Sequence, residues 1–540
     1  MYLLENPVLQ RELLVNLRMR RAFVLLFAYN ALLGLVVYVA WPQQEVMDLT
    51  TNPEASKRLV NLFFLGQYLL ASLMAPSFAA ATISGEKERK TYEMLLASPL
   101  RPGAIVLGKL LASLSHLALL IISSLPIVML CLPLGGVSFY EVLAAYLALI
   151  LSVITFGMIS IACSSYFRRS AAALLVSYLV ILPLALVGLL FWSTFEAAGQ
   201  FRLFASVTVL PAMCGVVCAG LFAATAARLL HPPDVGSEGK EVVDEAQEAK
   251  EAVGLVIQRD QFPDRLFAPA KRTDLLPDGA NPVYDKELRS ELFSQGTLML
   301  RVVIQVSMFL AIPLMAWFLY LRPHLAPWYI SYVVLFNMLV GPVFSAGSVT
   351  SERERETLDL LLTTLVTPWQ ILWGKMISGL RVSSILTSFL LWPLLLACVM
   401  VTAYWSNMLT MLGYVLILLL ICPTTALIAL FCSVIFRRTS VAMMTAYLVV
   451  VLLFTAPLAA SYFADLFLAP QVADNVRAAT VTSPFAAAFA LPLDIGSRDF
   501  PARPAQWEIY GRFVLFYAVF DLVLVATMIW LFQRRWRVAQ

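Results

Sequence analysis

The chain has 540 residues, of which 60% are hydrophobic and only 13% charged, with a mean hydropathy of +0.82. That much apolar surface cannot be hidden inside water-soluble cores, so much of it must face lipid. The net charge of +4 says little as a total, because in a membrane protein the position of charge matters more than its sum.

The apolar residues fall in blocks of roughly 20, the length a helix needs to cross a hydrocarbon core of roughly 30 Å, whereas a β-barrel would show short alternating strands. The expected fold is therefore all-α, a polytopic transmembrane helical bundle of about 12 spans. In chain order the predicted spans are 22–41, 60–83, 104–131, 142–165, 172–195 and 207–230, then 297–320, 328–349, 371–401, 408–434, 441–468 and 513–532. The block 371–401 is too long for one straight crossing, which puts its first turns in the interface. The first block is long for a signal sequence and lacks a small-residue cleavage site, so it is expected to remain as an anchor.

Basic residues cluster beside alternate ends of the spans. Arg11, Arg18, Arg20 and Arg21 precede the first; Lys87, Arg89 and Lys90 follow the second; Arg168 and Arg169 follow the fourth. Arg437 and Arg438 follow the tenth, and Arg534, Arg535 and Arg537 follow the last. The excess of basic residues on one side predicts that these loops and both termini are cytoplasmic, which requires an even number of spans. All seven cysteines fall in or at the ends of predicted spans, and Cys214 and Cys218 share a helix face with no nearby histidine, a packing pattern and not a metal site.

Short segments recur in the same order relative to the spans. Asn6-Pro7-Val8 with Glu12-Leu13 returns as Asn281-Pro282-Val283 with Glu287-Leu288. After the second span, Glu86-Lys-Glu-Arg-Lys-Thr91-Tyr-Glu-Met-Leu95-Leu96 is matched after the eighth by Glu352-Arg-Glu-Arg-Glu-Thr357-Leu-Asp-Leu-Leu361-Leu362, and both run without a gap to Gly108-Lys109 and Gly374-Lys375. About ten of roughly two dozen aligned positions are identical, against one or two for unrelated segments. Phe167-Arg168-Arg169-Ser170 through Tyr178 is matched by Phe436-Arg437-Arg438-Thr439 through Tyr447. The expectation is two parallel six-helix repeats, 1–230 and 281–540, joined by a polar, proline-rich cytoplasmic linker at 231–280. The polar stretch 465–511 is expected outside, without a counterpart in the first half; its apolar piece 484–493 is expected to dip into the interface.

Asn6-Pro7 and Asn281-Pro282 each pair an N-cap with the residue best tolerated in the first helical turn, so a helix should start at both. Leu9, Leu13 and Leu17 then share one face, the pattern of a helix in the headgroup layer. The segments at Glu86 and Glu352 open with charges that cannot enter hydrocarbon and end in leucines, which predicts a short amphipathic cytoplasmic helix in each half. Helical spacing places Glu86 near Arg89 and Lys90, and Glu352 near Arg355 and Glu356, so these turns could offer salt bridges to a partner while the leucines grip the bundle.

These residues resemble the permease subunits of ATP-binding-cassette exporters of the second type (ABC-2). The signature of that family after the second span looks like Glu-x-Glu-Arg-x-Thr-x-(Glu/Asp)-x-Leu-Leu, then Gly-Lys opening the third. It is matched at Glu86, Glu88, Arg89, Thr91, Glu93, Leu95, Leu96, Gly108 and Lys109, and again at Glu352, Glu354, Arg355, Thr357, Asp359, Leu361, Leu362, Gly374 and Lys375. The usual Gly before the Thr is replaced by Lys90 and Glu356. The resemblance implies that both segments are coupling helices docking into a cytosolic ATPase. It implies further that the chain fuses both permease halves and recruits two ATPase copies. ATP and magnesium would be bound by that partner and no cofactor by this chain. Membrane lipid is the other expected partner, with room for accessory membrane proteins and no role for nucleic acid. The expected location is the cytoplasmic membrane.

Catalysis by the chain itself is not expected. Gly103 to Lys109 mimics a phosphate loop but ends in Leu110 where a hydroxyl must meet magnesium, and neither His-Glu-x-x-His nor Gly-x-Ser-x-Gly occurs. An ion-driven carrier or a membrane scaffold is the alternative, and a carrier would need ionisable groups near the midplane. Arg381, Asp521 and His116 are the candidates; an Arg381–Asp521 pair is conceivable, though structural pairing or snorkelling is the expected role of each.

Overall fold

The computed structural model describes residues 53–88, 91–129, 138–167, 170–194, 199–230, 281–289, 311–354, 356–467, 470–491, 493 and 506–539, with scattered positions between 9 and 38 and between 305 and 309. Every regular element among them is helical, and nine helices are long and apolar enough to cross a membrane. Most of the first predicted span, the start of the seventh and the whole of 231–280 lie outside the described residues. The fifth is one helix, Ser170–Thr194, of 25 residues.

Helix starts are set by local chemistry. Ser138 and Glu141 form a reciprocal capping box ahead of Phe139–Tyr166, and Thr367 and Gln370 do the same ahead of Pro368–Met400, whose proline occupies the first turn. Asn281 accepts from the amides of Val283 and Tyr284 at 3.0 and 3.4 Å, so the helix expected at Asn-Pro does begin there, as Pro282–Arg289. Pro368–Met400 has 33 residues, about 50 Å at 1.5 Å per residue, so its ends must leave the hydrocarbon. Trp369 and Trp373 stack at 5.3 Å near its start, aromatic anchors suited to the interface.

The residues cluster into two compact units, Met1–Pro233 and Asp234–Gln540. In the first, Phe139–Tyr166 is the central helix and packs against Pro53–Ala79, Pro102–Met129, Ser170–Thr194 and Leu210–Leu230. In the second, Met408–Ile435 is central and packs most extensively on Ala326–Ala346. Gly341 makes that approach possible, because a Cβ there would lie 2.2 Å from the Thr425 hydroxyl. The repeat extends to polar packing. Pro76 and Pro342 loosen equivalent turns of the second and eighth spans, and Tyr178 and Tyr447 each donate to a carbonyl of that turn, Leu73 and Leu339, at 2.6 Å.

The eleventh span is present over Val441–Asp465 as expected, but it is interrupted at Thr455, between the helices Thr439–Phe454 and Ala456–Phe467. Pro457 has no N–H for the preceding turn and its ring crowds that turn, so the helix breaks at Thr455. The Phe454 carbonyl left at the break accepts from the Ser483 hydroxyl at 2.6 Å. Ser483 also caps the helix Pro484–Ala490. That helix packs against Ala326–Ala346, Met408–Ile435 and Trp507–Ala539, and Leu491 is fully buried after it. The expected interfacial dip is therefore a helix built into the unit's own packing. Replacing Ser483 by Ala should cost about 1–3 kcal/mol, the price of a buried unpaired carbonyl. Thermal unfolding of the detergent-solubilised protein should show the midpoint falling for S483A and recovering in S483T.

Candidate functional site

Each unit folds the acidic segment after its second span into a charged elbow. In the first unit it comprises the helices Ala81–Glu88 and Tyr92–Leu96 ahead of Pro102–Met129. In the second it comprises Thr350–Glu354 and Leu358–Leu362 ahead of Pro368–Met400. Arg89, Lys90 and Arg355 lie outside the described residues. Glu356, where the family signature has Gly, adopts φ 57°, the left-handed region that a glycine enters without strain.

The glutamates turn inward. Thr91 donates its amide to the Glu86 carbonyl at 3.0 Å and its hydroxyl to the Glu86 carboxylate, and Thr357 does the same to Glu352 with an amide distance of 2.9 Å. Lys109, 2% exposed, donates to the Thr82 carbonyl at 2.9 Å and approaches Glu86 at 3.5 Å. Lys375, 1% exposed, repeats this with the Ser348 carbonyl at 2.7 Å and Glu352 at 3.5 Å, and adds Glu287 at 2.6 Å. Lys286 closes the group on Glu352 at 2.8 Å, so two ammonium groups face two carboxylates. Long-range pairing thus ties Glu86 to the third span and Glu352 to the ninth, while Arg89, Lys90 and Arg355, the neighbours indicated by helical spacing, lie outside the described residues. Gly374 lets Pro282–Arg289 come close enough for this, since a Cβ there would meet the Tyr284 amide nitrogen at 3.0 Å.

The next residues reach sideways. Lys87 donates to the Ser165 carbonyl at 2.5 Å and Arg353 to the Val434 and Phe436 carbonyls at 2.9 and 2.8 Å. Glu88 accepts from the Ser170 amide and hydroxyl at 2.9 and 3.0 Å, and Glu354 from those of Thr439 at 3.0 and 2.8 Å. The Ser164 hydroxyl accepts from the amides of Ile83 and Ser84, and the Ser433 hydroxyl from those of Val349 and Thr350. None of Lys87, Arg353, Ser164 or Ser433 was singled out by sequence reasoning as a site residue. Their signal was the repeat itself, read together with the Phe-Arg-Arg turn.

The leucine-bearing helix of each elbow has a half-buried side and an exposed one. Leu95, Leu96, Leu361 and Leu362 are half-buried, and Leu96 packs beside a buried cluster that includes Ile83, Tyr92, Val106, Met158, Ile161 and Leu229. Met94 and its counterpart Leu360 are 76% and 68% exposed, and Glu93 is exposed beside Met94. The side chain of Asp359 lies outside the described residues. Arg381 and Asp521 do not meet: Arg381 donates to the Tyr284 hydroxyl at 3.1 Å, and Asp521 lies 2.9 Å from the Thr424 hydroxyl. Arg381 is thus bonded to the helix Pro282–Arg289, which also carries Lys286 and Glu287.

The protein is accordingly a multi-pass helical membrane protein whose two units each carry a matched charged elbow. Residues 7–201 and 234–535 match the family described as ABC-2 family transporter protein, and the chain belongs to that family. No curated protein matches it.

Removing Lys375 would take from Glu287 and Glu352 the buried ammonium they share. Breaking a buried ion network by deleting one member costs about 3–5 kcal/mol. K375A should therefore lose monodisperse protein in detergent and melt well below the wild type, and K375A/E287Q should recover part of the loss.

Proposed function

We propose that this chain is the membrane-spanning permease of an ATP-driven exporter, working with two copies of a separate cytosolic ATPase and carrying out no catalysis itself. On this reading both termini and both elbows are cytoplasmic, the membrane is the cytoplasmic membrane, and 1–230 and 281–540 are two permease halves joined by a cytoplasmic linker. The family assignment supports the class. The observation that carries the coupling role is the pair of exposed apolar tips, Met94 and Leu360, at equivalent positions on elbows whose glutamates Glu86, Glu88, Glu352 and Glu354 are bonded within the chain. A large apolar side chain held out beside charged groups is costly in water and gains when a protein cleft covers it.

ATP-driven movement of the partner would push Tyr92–Leu96 and Leu358–Leu362. Each elbow is fastened to the third or ninth span by its buried lysine, so the push would reach the bundle without first bending a loop. The apolar character of the spans, with Ser, Thr and aromatic residues and few charges, suits lipid-like, drug-like or polymer cargo better than a strongly ionic one.

In sealed vesicles, transport should need ATP and a co-purified ATPase; transport driven by an ion gradient alone would replace this reading with that of a carrier. Covering one apolar side chain contributes about 1.5–3 kcal/mol. M94E/L360E should therefore lower partner-stimulated ATP turnover by tenfold or more while leaving membrane insertion and monodispersity intact, and charge reversal at Arg89 and Arg355 should do the same. Unchanged turnover in both well-inserted variants would remove the elbows from the docking surface.

A further inference from the structure

Lys87-Glu88 and Arg353-Glu354 make a contact that partner docking does not require. The cation of each pair donates to the last carbonyls of one membrane helix, Ser165 and Phe167 after the fourth span or Val434 and Phe436 after the tenth. The carboxylate accepts from the first amide and hydroxyl of the next helix, Ser170 or Thr439. Helix C-termini attract cations and N-termini attract anions, so one dipeptide complements both ends of a single interhelical turn. A second row of bonds lies beneath it. Ser164 and Ser433 receive the amides of the elbow, and Ser84 with Ser170, and Thr350 with Thr439, lie at 3.2 and 3.0 Å.

Ordinary capping would need only one of these partners, and water could serve an exposed helix end as well. The arrangement differs because both ends of the turn are fixed to a third segment, the one that carries the tip at Met94 or Leu360. It is also reproduced in both units although Lys87 is replaced by Arg353 and Ser170 by Thr439, so what is kept is the donor and acceptor chemistry. A turn held at both ends cannot absorb a displacement of the elbow; it passes the displacement on to the helices it joins.

Building on the permease reading, we propose that Lys87-Glu88 and Arg353-Glu354 are positioning residues that make the fourth and fifth spans, and the tenth and eleventh, move with the elbow when the ATPase pushes it. The coupled body in each unit then includes the second or eighth span, the elbow, and both helices flanking the Phe-Arg-Arg turn.

The test is a pair of cysteine links, E88C/S170C and E354C/T439C in one chain, studied with its ATPase in sealed vesicles. With both pairs reduced, the carboxylates are gone; ATP turnover should stay within about twofold of wild type while substrate moved per ATP falls about tenfold or more. Oxidation with diamide restores the attachment covalently and should return transport per ATP towards wild type, and reducing agent should remove it again. A reduced variant as well coupled as wild type, or an oxidised variant that turns over ATP without transport, would overturn the proposal. If the cysteine protein fails to insert, E88A/E354A and the conservative E88D/E354D give the same comparison, with rescue of transport per ATP expected only in the aspartates. Failure of the permease reading would look different, since the wild-type chain itself would then transport without ATP or without the ATPase.

Discussion

One buried ammonium group in each unit organises the charged end of its bundle. Lys109 and Lys375 lie about two turns into their helices, almost without exposure, and each must find acceptors there because an unpaired charge in that environment would be prohibitive. The acceptors come from the preceding span and elbow: the Thr82 carbonyl with Glu86, and the Ser348 carbonyl with Glu352. The pairing fixes where the elbow sits along the third or ninth span. Sliding the elbow by one turn would break the ion pair and leave the carbonyl bare, so the segment is positioned by electrostatics that apolar packing alone could not specify.

That constraint explains which residues of the family signature face inward. The first glutamate serves the lysine, the threonine hydroxyl holds the glutamate, and the second glutamate caps the helix beyond the Phe-Arg-Arg turn. Among the described residues between the threonine and the leucine pair, Tyr92 is buried, whereas the two copies hold Met94 and Leu360 outward. The acidic and basic residues of the motif are, among those described, largely the frame, and the apolar tip is the surface.

Much of the architecture was legible in the sequence because hydropathy and repetition are direct consequences of the physics: a span must be apolar along its length, and a duplicated unit keeps its polar contacts. The Asn281-Pro282 helix start was legible for the same reason, since capping is local. The partners of Glu352 were not. Helical spacing ranks neighbours three and four residues away, whereas the chain turns at Glu356 with a positive φ and the real partners, Lys286 and Lys375, come from before the seventh span and from the ninth. The break at Thr455 was missed differently: Pro457 was visible, but hydropathy does not register a backbone interruption, and the repair by Ser483 comes from a stretch read as an external loop.

The two units share their elbows and differ behind them. In the first, Tyr92 is buried under the elbow with Lys87 5.4 Å from its ring, and Arg228 lies over Tyr166, so aromatic contacts support the structure. In the second, Leu358 takes the place of Tyr92, and support comes from the Lys286, Glu287, Glu352 and Lys375 group. An ion network resists displacement steeply at short range and needs its geometry kept, while an aromatic contact tolerates sliding over a broader surface. On the proposed reading, the Lys109–Glu86 and Lys375–Glu352 pairs give both elbows the same first anchor against the push, with Tyr92 packed beside one and Lys286 and Glu287 joined to the other.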